Sequence, residues 1–250
     1  MNSVIKVKSL QKALEILNCF IDKQPLGVTE ISDKLGLYKS NVHNILTTFA
    51  AMEYLTQDEE TGKFQLGPRV LQLSHTAVGS FDIVKIVKPY LDALAEQFNE
   101  TAYLAIPSRR EVIYLGAAYP GRHRILAQYV QGDSAPMHAT SVGKAMLAAL
   151  PDAFLEQYIR EPLVSFTENT ITDPEALRRE IEKTKQRGYA LDNMELSTGL
   201  ICVGVALSDL SGNIRGALSI SGPLARFDKE KIEEMQKALK QCATELKRKL

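Results

Sequence analysis

Residues 8–66 constrain this chain most, because they set three helical patterns and two short strands in an order that few folds accommodate. Val7, Leu10, Leu14, Leu17 and Ile21 recur at steps of three and four, the mark of an amphipathic helix, with Ser9 as its candidate N-cap. Gln24-Pro25-Leu26-Gly27 breaks that helix. Thr29 is placed to cap a short second helix over residues 30–35, which Gly36 ends. After Leu37-Tyr38-Lys39, Ser40 is placed to cap a third helix running to Met52. YLTQ and KFQL then read as strands around a turn at residues 58–62. Three helices followed by a hairpin predict a winged helix-turn-helix.

The third helix supports that reading. At about 100° per residue, Val42, Ile45, Leu46, Phe49 and Met52 fall on one side and form the expected core face. Ser40, Asn44, Thr47 and Ala51 lie opposite, flanked by His43 and Asn41. Small and amide side chains facing solvent suit the major groove, where Asn pairs with an adenine edge and hydroxyls reach bases or phosphates. Lys39 and Ser40 stand at the helix start, where free N–H groups attract phosphate. Lys63 is the lone base of the hairpin, beside Asp58, Glu59 and Glu60. Lys6, Lys8 and Arg69 are further phosphate candidates. Charge adds little: 30 basic residues balance 30 acidic ones, and residues 1–49 carry six Lys against four acids. This argues against a sprawling nonspecific nucleic-acid binder but not against a sequence-specific one, for which a local patch is enough.

Beyond Gly67-Pro68, residues 69–80 read as a linker helix. Residues 82–98 read as a longer one, with a break expected at Pro89. TAYLAI, EVIYLGAA and HRILAQYV are strand-like. Residues 141–150 and 174–186 are helical, YALD, LICVGVALSD and NIRGALSIS are strands, and residues 228–249 form a closing helix. The fold class is α+β. No apolar run approaches the roughly 20 residues of a membrane span, and the start lacks a secretory pattern, so a cytoplasmic protein with no membrane partner is expected. Cys19, Cys202 and Cys242 lie far apart and form neither a disulfide framework nor a structural zinc motif. No cofactor is expected.

In PMHATSVGKAMLAAL, a turn of small residues leads into a helix. Its first N–H groups, at Ser141, Val142 and Gly143, are free to hold an anion, with Lys144 either adding charge or facing solvent. Asp192, Glu195, Cys202, Ser219 and Ser221 bring polar groups onto apolar strands, and Ser219 and Ser221, two apart, share a face. An apolar cavity with a few convergent polar groups is how small ligands are held. Two other arrangements use the same residues: a nucleophilic set of His138, Asp192 and Cys202, and a metal site of His138, Asp192, Glu195 and Cys202. Neither follows a known spacing, and no oxyanion hole is tied to Cys202. A protein-docking module without a ligand is a further alternative.

KSLQKALEIL, TEISDKLGLYKSNVHNIL, GKFQLGPRVLQL, PMHATSVGKAMLA, RGYALDNMELSTGLICVGVAL and ALSISGP together resemble the IclR (isocitrate lyase regulator) family of bacterial transcription factors, over about residues 6–245. The resemblance implies a winged helix-turn-helix over 1–67, a linker helix over 68–81 and a GAF-like effector domain with an antiparallel sheet over 82–250. It implies a homo-oligomer, dimer or tetramer, on palindromic double-stranded operator DNA near genes of carbon catabolism. It also implies a small organic-acid effector, with repression favoured over activation. DNA contacts are expected from Lys39, Ser40, Asn41, His43, Asn44, Thr47 and Lys63. Carried over by motif, the effector site comprises Ser141, Val142, Asp192, Leu200, Cys202, Ser219 and Ser221. No enzymatic activity is implied. Three positions depart from the family pattern: Asn44 stands where Arg is usual, Asn41 where Thr is usual, and Met194 in place of the first of an acidic pair.

Overall fold

The computed structural model describes residues 5–79, 82–121 and 131–250. The strand expected at HRILAQYV falls outside them. The chain divides into two compact units, residues 1–80 and 81–250.

The smaller unit contains α1 (Lys8–Asp22), α2 (Val28–Leu35), α3 (Lys39–Ala51), the antiparallel pair β1 (Leu55–Gln57) and β2 (Phe64–Leu66), and α4 (Pro68–Gly79). Its core is Ile16, Cys19, Phe20, Leu26, Ile31, Val42, Leu46, Leu55 and Phe64. The elements are those expected, but the helix starts differ. Ser9, Thr29 and Ser40 do not cap: α1 follows Val7 and α3 follows Tyr38, both without a side-chain cap. At α2 the missing cap is replaced by Glu30, whose carboxylate accepts the Gly27 N–H at 2.9 Å. Gly36 ends α2 in the left-handed region at φ 63°, where a side chain would be strained.

The second difference lies in α1. Its apolar stripe is largely exposed: Val7, Leu10, Leu14 and Ile21 are open to solvent, and only Leu17 of that stripe packs on the core. The helix buries Ile16, Cys19 and Phe20 on the other side. Met52, just past α3, is also exposed.

The larger unit opens with α5 (Asp82–Phe98), which continues unbroken through Pro89. Both Pro89 and Lys85, whose carbonyl loses its donor, lie on the exposed side of the helix, where that group is open to solvent. A six-stranded antiparallel sheet follows, in the order β5-β4-β3-β8-β7-β6. Its strands are β3 (Thr101–Ser108), β4 (Glu111–Ala118), β5 (Ser134–Pro136), β6 (Ala190–Asn193), β7 (Leu200–Ser208) and β8 (Ile214–Pro223). One face, with Leu104, Val203, Val205, Leu218 and Ile220, packs on α5 and on α9 (Lys229–Leu246). The other face, with Tyr103, Ala105 and Ala217, packs on α6 (Ser141–Ala149), α7 (Asp152–Tyr158) and α8 (Pro174–Arg187). Strand β5 and helix α7 were not anticipated. Fully buried Glu100 is held by Arg226 at 2.7 and 2.6 Å and by Lys231 at 3.3 Å, which ties the end of β8 to β3 and α9. Among the described residues, no helix is long and apolar enough to cross a membrane.

Candidate effector site and nucleic-acid interface

The effector candidates converge because strand register and one close contact place them. Antiparallel partners share a face. Asp192 lies opposite Cys202, Cys202 opposite Ser221, and Ser221 opposite Thr101, so one polar row crosses β6, β7, β8 and β3. The next row on that face is Ala190, Gly204, Ser219 and Tyr103. Leu200, two before Cys202, shares the face as well. The start of α6 rests on this surface at Gly204, where a Cβ would lie 2.7 Å from the Ser141 carbonyl carbon. Only glycine allows the helix so near the strand.

The first turn of α6 is almost wholly buried. Thr140 caps it, accepting the Gly143 N–H on its hydroxyl at 3.1 Å and the Lys144 N–H on its carbonyl at 2.9 Å. Gly143, expected to donate to an anion, is thereby engaged. The N–H groups of Ser141 and Val142 have no acceptor among the described residues. Ser219 is buried on the same sheet face. Cys202 donates from its thiol to the Ser221 hydroxyl at 3.1 Å.

Lys144 neither faces solvent nor offers a free charge. It is 0% exposed and ion-paired with the carboxylate of Glu195, which is itself buried. The Glu195 N–H donates to Asp192 Oδ1 at 2.7 Å. Glu195 Oε2 is buried and has no hydrogen-bond partner among the described residues. Burial, with the Glu195 carboxylate adding to it, pushes the Asp192 carboxyl up to about 6. Burial also pushes the Cys202 thiol well above its ordinary value, and Asp192 adds to that shift.

These facts separate the alternatives. A desolvated thiol beside a carboxylate is a poor nucleophile. His138 is not its base: Nδ1 meets the Tyr158 hydroxyl at 2.8 Å and Nε2 the Val164 carbonyl at 2.9 Å. Because Nε2 faces a carbonyl, it carries the proton, and Nδ1 accepts from Tyr158. Burial lowers the His138 pKa, which keeps the ring neutral. Among the described residues, no group of three His, Cys, Asp or Glu side chains is placed to hold a metal ion.

In the smaller unit, Lys39, Ser40, Asn41, His43 and Asn44 are all exposed on α3. Thr47 is half-buried, and its hydroxyl donates to the carbonyls of His43 and Asn44, both at 3.0 Å. Lys63 is paired with Glu30 at 3.0 Å, and Arg69 with Glu53 at 3.0 Å. Sequence reasoning missed Tyr38, which stands at the N-cap of α3 with 81% of its surface exposed. Its place between the two helices of the motif was the available signal.

Known proteins match both units. Residues 9–59 match the IclR helix-turn-helix domain, and residues 75–248 match the bacterial transcriptional regulator IclR C-terminal domain. The chain is 32% identical over 246 residues to the HTH-type transcriptional regulator XynR of Escherichia coli (strain K12), covering 98% of this chain and 97% of that one. It is 28% identical over 245 residues to the transcriptional repressor IclR of the same organism, covering 96% of this chain and 89% of the repressor. The crystal structure of an IclR transcriptional regulator from Alicyclobacillus acidocaldarius superposes with a TM-score of 0.84 at 26% identity, covering 97% of this chain and 98% of that one. Family matches of this extent over both the helix-turn-helix and the sheet unit mean that the chain belongs to the IclR family of bacterial DNA-binding transcriptional regulators, proteins that are not enzymes.

Proposed function

We propose that this chain is a ligand-responsive repressor that binds a palindromic operator as a dimer or tetramer and senses a small organic acid, in control of carbon catabolism genes. Residues 1–67 form the DNA-binding domain, 68–81 the linker helix and 82–250 the effector domain. The observation that carries the ligand reading is the opposition of two free N–H groups, at Ser141 and Val142, to Asp192, Cys202, Ser219 and Ser221 on one sheet face. A carboxylate fits the helix start, where dipole and free donors favour negative charge. Hydroxyls fix its orientation, and Leu200 supplies apolar contact. Repression follows the relation to the Escherichia coli repressor.

On DNA, α3 enters the major groove. Lys39, Ser40 and Lys63 meet phosphates, and Asn41, His43, Asn44 and Thr47 face base edges. Val7, Leu10, Leu14 and Ile21 are spaced three, four and seven residues apart along the open face of α1. That spacing suits a helix seam with a second copy. Leu14→Glu is expected to lower the mass in sedimentation equilibrium, and an unchanged mass would exclude α1 from the interface. The effector binds one quaternary arrangement better than the other, and a coupling of about 1–3 kcal/mol alters operator affinity roughly 5- to 150-fold.

Titration calorimetry of the full chain against a panel of organic acids tests the site. An acid that binds is expected to lose about tenfold or more in affinity to Ser219→Ala with Ser221→Ala. Binding unaffected by that pair would place the effector elsewhere.

A further inference from the structure

Tyr38 departs from most of the described tyrosines and shares its lack of a partner with Tyr119, which is less exposed, while Tyr189 lies under Arg187 and Lys240. Tyr54 stacks near Phe49, Tyr103 meets Tyr114, Tyr158 bonds His138, and Tyr90 bonds Lys249. Among the described residues Tyr38 has no ring partner and no hydrogen bond to its hydroxyl, and it is the most exposed of their large hydrophobic side chains. A lone exposed aromatic carries no message by itself, but this one sits on a rigid frame. Leu37 before it packs on the core, its N–H donates to the Ser32 carbonyl at 3.1 Å, and its carbonyl accepts from the Ser32 hydroxyl at 2.6 Å. The Tyr38 carbonyl accepts from the N–H groups of Asn41 at 3.0 Å and Val42 at 3.1 Å. The ring is therefore presented to solvent by a fixed backbone.

Its position is also locally unfavourable. The residue before a helix is usually one whose side chain caps the first turn, as Thr140, Asp173 and Asp228 do for α6, α8 and α9. That role is forgone at α1, α3 and α7, and at α3 a bare phenol stands in its place beside the exposed Lys39, Ser40 and Asn41. A local rule broken without an internal gain points to an external partner.

We propose that Tyr38 is a DNA contact of this protein: its hydroxyl donates to an operator phosphate at the groove edge while its ring lies along the sugar. The inference rests on the reading of α3 as the recognition helix. Tyrosine is among the side chains that bond phosphate and set register without reading sequence. The contact is neutral, so it adds affinity without releasing a counterion.

The test is fluorescence anisotropy of the full chain on a duplex of its own promoter region and on a scrambled duplex, across a salt series. Tyr38→Phe and Tyr38→Ala are expected to bind both duplexes about tenfold more weakly, with the slope of log affinity against log salt unchanged. Lys39→Ala is expected to lower that slope by about one. An exposed side chain is being altered, so melting temperature stays the same. Tyr38→Phe binding like the unchanged chain would overturn the phosphate bond, and equal binding by Tyr38→Ala would overturn the contact altogether. If the unchanged chain bound neither its own promoter nor neighbouring ones, the recognition-helix reading would fail first, and this contact with it.

Discussion

Helices α3 and α6 begin in opposite ways. The start of α3 is uncapped and exposed, with Tyr38, Lys39, Ser40 and Asn41 all in solvent. The start of α6 is capped by Thr140 and buried against Gly204, and its nearest charge, Lys144, is neutralised by Glu195. An exposed, rigid helix start can meet a large polyanion whose own surface supplies the missing acceptors. A buried start with two free N–H groups can serve only something small enough to enter. The same backbone chemistry thus suits DNA in one unit and a metabolite in the other, and the difference lies in what surrounds the first turn. Electrostatics follow the same division: the smaller unit's ion pairs, such as Lys34–Asp22, are exposed and worth little, whereas Lys144–Glu195 is enclosed.

The largest effect expected from that contrast is at Lys144. Lys144→Met leaves Glu195 buried without its cation and is expected to destabilise the larger unit by about 3–5 kcal/mol in urea unfolding. Adding Glu195→Leu is expected to recover most of the loss. A cost under about 1 kcal/mol for the single change would mean that the pair is not enclosed.

A smaller effect is expected at Asp192. Its carboxyl is raised, so between pH 3.8 and about 6 the folded chain holds more protons than the unfolded one, and stability falls as pH rises through that window. Asp192→Asn keeps an acceptor for the Glu195 N–H and removes the buried charge. It is expected to be more stable than the unchanged chain by about 1–3 kcal/mol at pH 7.5 and no more stable at pH 3.5. Equal stability of the two proteins at both pH values would contradict the enclosed carboxyl.

The elements of the smaller unit were legible because their punctuation is local: Gly36 ends α2 and the turn at residues 58–62 joins β1 to β2. The face of α1 was not. Periodicity reveals a helix, but when a helix carries two apolar faces it does not say which one the chain itself buries. Helix α7 and strand β5 are too short to carry a clear period. In the larger unit, the alternation of Ser219 and Ser221 and the small residues before α6 pointed to the candidate residues that the sheet register places on one face. The burial of Lys144 was not readable, since its partner Glu195 lies 51 residues away in sequence. Nor was the seat of α6 on Gly204, which depends on a contact between two segments far apart in the chain.

The most direct test of the central claim, that one chain joins a DNA-reading unit to a metabolite-sensing one, is a gel shift of the full protein on its own promoter at stated salt, with and without each organic acid. The account predicts a specific complex whose affinity one acid changes by roughly 5-fold or more, with Ser219→Ala and Ser221→Ala together abolishing that response and leaving ligand-free DNA binding intact. An acid shown by calorimetry to bind, yet leaving both the complex and transcription unchanged, would contradict it.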